Sequence, residues 1–224
     1  MIRIGIFMGG ASLEKEVSFN SGRTIYDYVE KEIYNPIPIF ITEKQEIYLL
    51  PWRFLYRGKI SDFENRLERE ARLIPWHDLS LHIDFAFLAL HGKYGEDGCI
   101  QGLLELLKIP YSGSSILSSA LSTNKLFINK LLASQNITVP QEIKIKKKES
   151  YDKKTIERFL FEKKKIIIKP GHEGSSIGVS RAENFTEFEK GFEYAKFING
   201  CKQDVLIQEY IEGKEFSVVA LEQN

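Results

Sequence analysis

A chain of 224 residues, 43% hydrophobic and 28% charged, has the balance of a globular protein and the length for one large domain or two small ones. Its 31 basic and 31 acidic side chains cancel, which argues against a general nucleic-acid or membrane-surface binder. The two cysteines, Cys99 and Cys201, show neither C-x-x-C nor zinc spacing and read as reduced thiols of a cytoplasmic protein.

The opening "MIRIGIFMGG" is too short an apolar run for a signal-peptide core, and no window approaches the ~18 apolar residues of a membrane span. Instead "IRIGIF" reads as a strand, followed by a glycine turn and the helical "SLEKEVSFNSGRTIYDYVEK". There Val17, Ser21, Ile25 and Val29 form one stripe and Ser12 is the predicted N-cap. "NPIPIFIT" and "QEIYLLP" read as further strands, residues 51 to 80 show no clear period, and "IDFAFLAL" is a strand covered on both faces. "CIQGLLELLKIP" places Ile100, Leu103, Leu104 and Leu107 on one helical face. Alternating strands and helices over residues 1–113 predict an open, mainly parallel α/β domain.

A different pattern follows. "SSILSSALSTNKLFINKLLASQN" reads as helical, closing near Asn136; "PQEIKIK" alternates like a half-exposed strand, and "DKKTIERFLFEKKK" turns Ile156, Phe159 and Leu160 to one side. "KKIIIK" is a strand. "NFTEFEKGFEYAKFI" reads as a helix with Thr186 and Glu189 in capping-box positions and Phe188, Phe192 and Ala195 inward. "DVLIQEYIEGKEFSVVAL" reads as two strands around a Glu-Gly turn. The expectation is a small α+β unit with antiparallel strands. Residues 142–165 hold ten Lys and Arg against five Asp and Glu without interleaved aromatics, which suits a solvated face better than a nucleic-acid groove.

Three stretches carry more polar residues than turning requires. In "GIFMGGASLEKEVS" the glycines lack the G-x-G-x-x-G spacing of a dinucleotide site, which disfavours a nicotinamide enzyme. Glu14 there either complements the helix dipole or faces the strand ends and binds an ammonium group. In "LHGKYGEDGCIQGLLE", at the end of a strand where open α/β sheets place ligands, His91, Glu96 and Asp97 serve a ligand or ordinary turn and cap chemistry. In "IIIKPGHEGSSIGVS" Lys169 ends a strand, and the Gly and Ser residues form either a nest for phosphate or an ordinary hairpin loop.

Together with "IPYSGS", "TNK" and "QEYIEGKEFSV", these motifs occur in an order that resembles the D-alanine–D-alanine ligase family of ATP-grasp enzymes along nearly the whole chain. The resemblance implies an N-terminal substrate-binding α/β domain (1–113), an α+β ATP-grasp lid domain (114–205) and the start of a truncated ATP-grasp core (206–224). It implies ligation of two D-alanines through an acyl phosphate, with ATP and Mg2+ (or Mn2+), for peptidoglycan precursor synthesis, and a homodimer through the N-terminal domain. Glu14 is implied to bind the first D-alanine's ammonium group, His91 to lie near its carboxylate and Ser175 to hold Glu14. Lys125 and Lys169 are implied to contact the ATP phosphates under a lid of Glu173, Gly174, Ser175 and Ser176. Gln208, Glu209 and Ile211 are implied to line the adenine slot and Glu215 to accept from the ribose.

The family's Met-Asp-Lys stands here as Thr123-Asn124-Lys125, and its usual Glu as Gln208. Family chains run to ~300 residues or more, so the metal ligands and much of the second-substrate pocket are expected beyond Asn224. The 224-residue chain is accordingly expected to be incomplete and inactive alone, with an apolar unpaired edge at "GKEFSVVAL". A ligase taking D-lactate or D-serine second, and a non-catalytic nucleotide-binding remnant, are the alternatives.

Overall fold

The structure, a computed structural model, describes residues 1–219. The chain forms two compact units, one of residues 1–128 with Glu173–Ser175, the other of residues 129–172 and 176 onward.

The first unit is built on a five-stranded sheet of order β4-β3-β2-β1-β5, from β1 (Ile2–Gly9), β2 (Tyr34–Ile41), β3 (Ile47–Leu49), β4 (Arg72–Ile74) and β5 (Phe85–Leu88). β1 pairs in parallel with both β2 and β5, whereas the short β3 and β4 add on antiparallel. Alternation along β1 places Ile6 and Met8 on one face and Phe7 on the other, all fully buried, so the central strand has a core on each side. One core holds Phe7, Ile39, Leu79, Ala86 and Leu104; the other is aromatic, with Phe19, Phe40 and Phe54 around Phe63 at ring separations of 5.2 to 5.4 Å.

Helix α1 (Lys15–Tyr28) packs on β1 through Ser18, Phe19 and Gly22. The predicted stripe holds at Ile25 and Val29, which pack on the same core, but not at Val17, which is exposed. The close approach of Gly22 to Met8 sets the face: a Cβ on Gly22 would lie 2.7 Å from the Met8 methyl. Residues 51 to 80, without period in the sequence, form 3-10 turns, strand β4 and two one-turn helices, α2 (Leu67–Glu70) and α3 (Leu79–His82). Turns of three to five residues cannot build a long helical stripe, yet Phe54, Leu55, Ile60 and Phe63 in and beside them are buried. α4 (Cys99–Leu106) buries Ile100 and Leu104 as its spacing predicts, and Cys99 at its start is exposed.

The segment predicted as one helix to Asn136 is two, α5 (Ile116–Thr123) and α6 (Lys125–Ser134). Asn124 breaks it by leaving helical geometry (φ −90°, ψ 93°) while its Oδ1 accepts the backbone N–H groups of Leu126 and Phe127.

The second unit holds a four-stranded, wholly antiparallel sheet of order β6-β11-β7-β8, from β6 (Glu142–Ile145), β7 (Ile166–Pro170), β8 (Ser180–Ala182) and β11 (Val205–Glu209). α7 (Lys153–Lys163) and α8 (Phe185–Lys196) supply Ile156, Phe159, Phe188 and Phe192 to one sheet face, and a two-stranded ribbon joins β9 (Phe197–Ile198) to β10 (Cys201–Lys202), where Cys201 is exposed. α8 starts earlier than predicted: Asn184, not Thr186, is the cap, accepting from Glu187 N, while the Glu187 carboxylate accepts from Glu183 N.

The boundary expected after residue 205 falls inside this sheet, because β11 is paired on both edges. The second strand expected in "GKEFSVVAL" is absent among the described residues. Residues 211 to 219 form no strand and expose Phe216, Val218 and Val219; the remainder of that stretch lies outside the described residues.

Candidate functional site

β1 ends in a tight turn that only glycine fits. Gly9 has φ +91°, and a Cβ there would stand 2.6 Å from the Ile41 carbonyl oxygen. The turn is fixed by Gly10 N–H donating to Ile41 O (2.8 Å) and by Gly9 N–H donating to the buried Ser18 Oγ (2.9 Å). Ser12 is not the α1 cap; Glu14 occupies that position, and Ser12 Oγ instead accepts the Glu14 N–H at 2.9 Å.

Glu14 Oε1 in turn accepts the hydroxyl of Ser175, 161 positions away. Gly174 makes the approach possible, because a Cβ there would stand 2.9 Å from Glu14 Oε2. Ser175 and Ser176 both hold left-handed backbone (φ 47° and 58°), rare for side-chain-bearing residues and concentrated at functional loops. Glu173 joins the same cluster through its carbonyl oxygen, which accepts from Lys125 Nζ at the start of α6. Lys125 thereby brings a positive charge to the glycine-serine loop, a combination suited to an anion.

His91, just past β5, has Nε2 3.2 Å from Ser21 Oγ on α1. It lines a cleft of about 210 Å³ with Gly9, Gly10, Ile41, Trp76 and Leu90, at the carboxyl ends of the parallel strands. The buried Gln45 Nε2, also lining this cleft, lacks a hydrogen-bond acceptor within the described residues. Glu96 and Asp97 do turn and cap work: Glu96 accepts from Gly92 N, and Asp97 from Tyr94 N and Cys99 N.

In the second unit the sheet face turned away from α7 and α8 is polar. Cross-strand register sets Lys144, Leu206 and Lys169 in one row and Glu142, Gln208 and Ile167 in the next. Lys169 is half-buried, and burial pushes its ammonium below the usual lysine range, against the opposing pull of the Glu142 carboxylate. Burial pushes the Glu142 carboxyl up, but hydrogen bonds from Lys144, Gln208 and Asn129 together carry it below its ordinary value. The contacts are Lys144 Nζ at 2.7 Å, Gln208 Nε2 at 2.9 Å and Asn129 Nδ2 at 2.6 Å.

Residues 3–114, half of the chain, match the family model described as D-ala D-ala ligase N-terminus. The chain belongs to the D-alanine–D-alanine ligase family. Residues 122–224 match an ATP-grasp domain model. Among curated relatives, a D-alanine–D-alanine ligase of Geobacter sulfurreducens is 33% identical over 98% of this chain and 58% of its own length. The structure of the D-alanine–D-alanine ligase from Coxiella burnetii superposes with a TM-score of 0.82 at 25% identity, over 95% of this chain and 65% of that one. The VanG D-Ala:D-Ser ligase from Enterococcus faecalis gives a TM-score of 0.76 at 27% identity, over 95% and 63%. This family member thus spans about three fifths of the length of the curated relatives it matches.

Measured against the family's expected site, Glu14, Ser175, Gly174, Glu173 and Lys125 are brought together, and Lys169 and Gln208 share a strand face. Ser176 follows them in the loop without a hydrogen bond to Glu14. The Glu209 N–H donates to Gln141 O, and its carboxylate binds Lys163 at 2.8 Å and accepts from Gln141 N. Ile211 and Glu215 lie exposed in the segment without regular structure. Among the described residues no three His, Cys, Asp or Glu side chains stand close enough together to hold a metal ion. Likewise no helix among them is long and apolar enough to cross a membrane.

Glu142, Lys144 and Asn129 were not legible as site residues. "PQEIKIK" reads as a half-exposed strand, and the signal that Glu142 lies directly opposite Gln208 exists only in the strand register.

Proposed function

We propose that these residues serve an ATP-dependent ligation of two D-alanines in peptidoglycan precursor synthesis. The observation that carries the reading is the Ser175–Glu14 hydrogen bond, which joins the glycine-serine loop to the carboxylate at the head of α1. Glu14 takes the ammonium group of the first D-alanine, Ser175 orients it, and His91 lies near the carboxylate. Lys125 and Lys169 neutralise the ATP phosphates, with backbone and hydroxyl donors from the 173–176 loop, and Gln208 faces the base.

Phosphoryl transfer depends on positioning and charge neutralisation, and lysines with a donor-rich loop are the groups that supply both. A carboxylate oxygen of the first D-alanine attacks the γ-phosphorus and the bond to the β-phosphate oxygen breaks, releasing ADP. The amine of the second D-alanine attacks the acyl carbon; the carbon–oxygen bond to phosphate breaks, and the amine gives up a proton. The family assigns this work to the cytoplasm and to a homodimer, which sedimentation of the purified protein tests. The likeness to VanG supports a second reading in which D-serine is the second substrate.

The deciding measurement is phosphate release from MgATP with D-alanine alone or with D-serine added, beside a calorimetric titration of ATP. D-alanine-dependent phosphate with dipeptide bears the reading out, and stimulation by D-serine only favours the second. ATP binding without turnover marks a nucleotide-binding protein that lacks the ligation step. Absence of ATP binding removes the proposal.

A further inference from the structure

Glu142 forms the centre of a hydrogen-bond cluster on the strand face that the nucleotide-binding reading assigns to ATP. Its Oε2 receives Asn129 from α6 and Gln208 from β11, and its Oε1 receives Lys144 from its own strand. Gln208 is only 5% exposed and sits directly opposite Glu142 in the β6–β11 register. A carboxylate can only accept, whereas the two ends of a glutamine amide are a donor and an acceptor of nearly equal shape. The end of Gln208 that faces Glu142 is therefore its NH2.

We propose that Glu142 is a positioning residue for the nucleotide base: it fixes the Gln208 amide so that Oε1, an acceptor, is the atom offered to the ligand. The inference rests on the nucleotide-binding reading above and adds to it the device that sets base selectivity. A free glutamine would present either end and accept a 6-amino or a 6-oxo purine equally. A glutamine held by its NH2 favours the base whose edge donates, the 6-aminopurine, because a 6-oxo group would set two acceptors face to face. The lowered proton affinity of Glu142 agrees with this, since the carboxylate stays ionised and acceptor-only at neutral pH.

The test is the affinity ratio of ATP to ITP, which differ at the 6-position of the base, measured calorimetrically on the full chain. The unmodified protein is expected to prefer ATP by ~10-fold or more, and Glu142→Gln to bring the ratio within ~3-fold, because the amide of Gln208 then turns freely. The exchanged pair E142Q/Q208E keeps one amide against one carboxylate, so it should fold even if the single variant does not, and should restore the ATP preference. A ratio unmoved in Glu142→Gln, or a low ratio in the exchanged pair, overturns the positioning role while leaving nucleotide binding intact. A chain that binds neither nucleotide overturns both readings.

Discussion

The two units place their functional groups by opposite means. In the first, the sheet is buried on both faces and its polar groups stand on loops beyond the strand ends, held by left-handed glycines and by the first turn of α1. In the second, α7 and α8 cover one face, and Lys169, Glu142 and Gln208 project from the strands of the other, spaced by register. Loop-borne groups can be changed without touching a core, whereas groups set by strand register belong to the packing of the sheet. Function should therefore be separable from stability in the first unit, and in the second should fall whenever the core beneath the strands is lost.

The strongest way to break that contrast is Phe188→Ala. Removing this fully buried ring should cost about 3–5 kcal/mol and abolish nucleotide binding with the fold of the second unit. Denaturant titration beside ATP calorimetry checks it, and nucleotide affinity surviving such a loss would show that the strand face does not depend on its core. Next comes Lys169→Met, expected to weaken ATP binding by about 100-fold, or ~2.7 kcal/mol, while the melting temperature holds or rises.

The sign of the pH effect at Lys169 sharpens this. Its folded pKa lies below 10.5, so as pH rises the native state releases its proton before the unfolded chain does. The penalty of burying the ammonium is full below the folded pKa and relieved as pH climbs toward 10.5. The stability advantage of Lys169→Met should accordingly shrink with rising pH, as thermal melts at successive pH values would reveal.

A smaller effect is expected for Ser175→Ala in the loop cluster. Loss of the hydrogen bond to Glu14 should weaken D-alanine binding by about 0.5–1.5 kcal/mol and leave the unfolding midpoint unchanged within ~0.5 kcal/mol. The smallest concerns Glu70, at the end of the one-turn helix α2. The Arg66 guanidinium, with Arg53, holds its carboxyl at about 2. Its contribution to stability is present above pH 4.5 and lost as pH falls toward 2, so Glu70→Gln should flatten the acid limb of the first unit's stability curve without altering ligand affinity at neutral pH.

Much of this was written in the chain. Continuous apolar runs mark the two-sided strands of the first unit, and the Gly, Lys and Ser clusters mark where polar groups gather. Local capping was less legible, because Asn124 and Asn184 stop and start helices through side-chain contacts that a hydrophobic period does not register. Glu142 was hidden for a different reason. Alternation along "PQEIKIK" separates the two faces of a strand but does not say what covers the polar one, and that depends on α6 and on β11, some sixty positions further along. The tail after Glu209 misled in the opposite direction: apolar β-branched residues there promise a strand, but among the described residues no neighbouring edge receives it.

The two exposed thiols make this protein its own pair of spectroscopic reporters. Cys99 lies in one compact unit and Cys201 in the other, each open to solvent. Burial, aided by Asp97, raises the proton affinity of the Cys99 thiol, so its labelling by a maleimide dye should be slow at neutral pH and quicken as pH rises. Sequential labelling of the unmodified sequence then yields a donor–acceptor molecule in which a single fluorescence ratio follows one unit against the other as ATP is added.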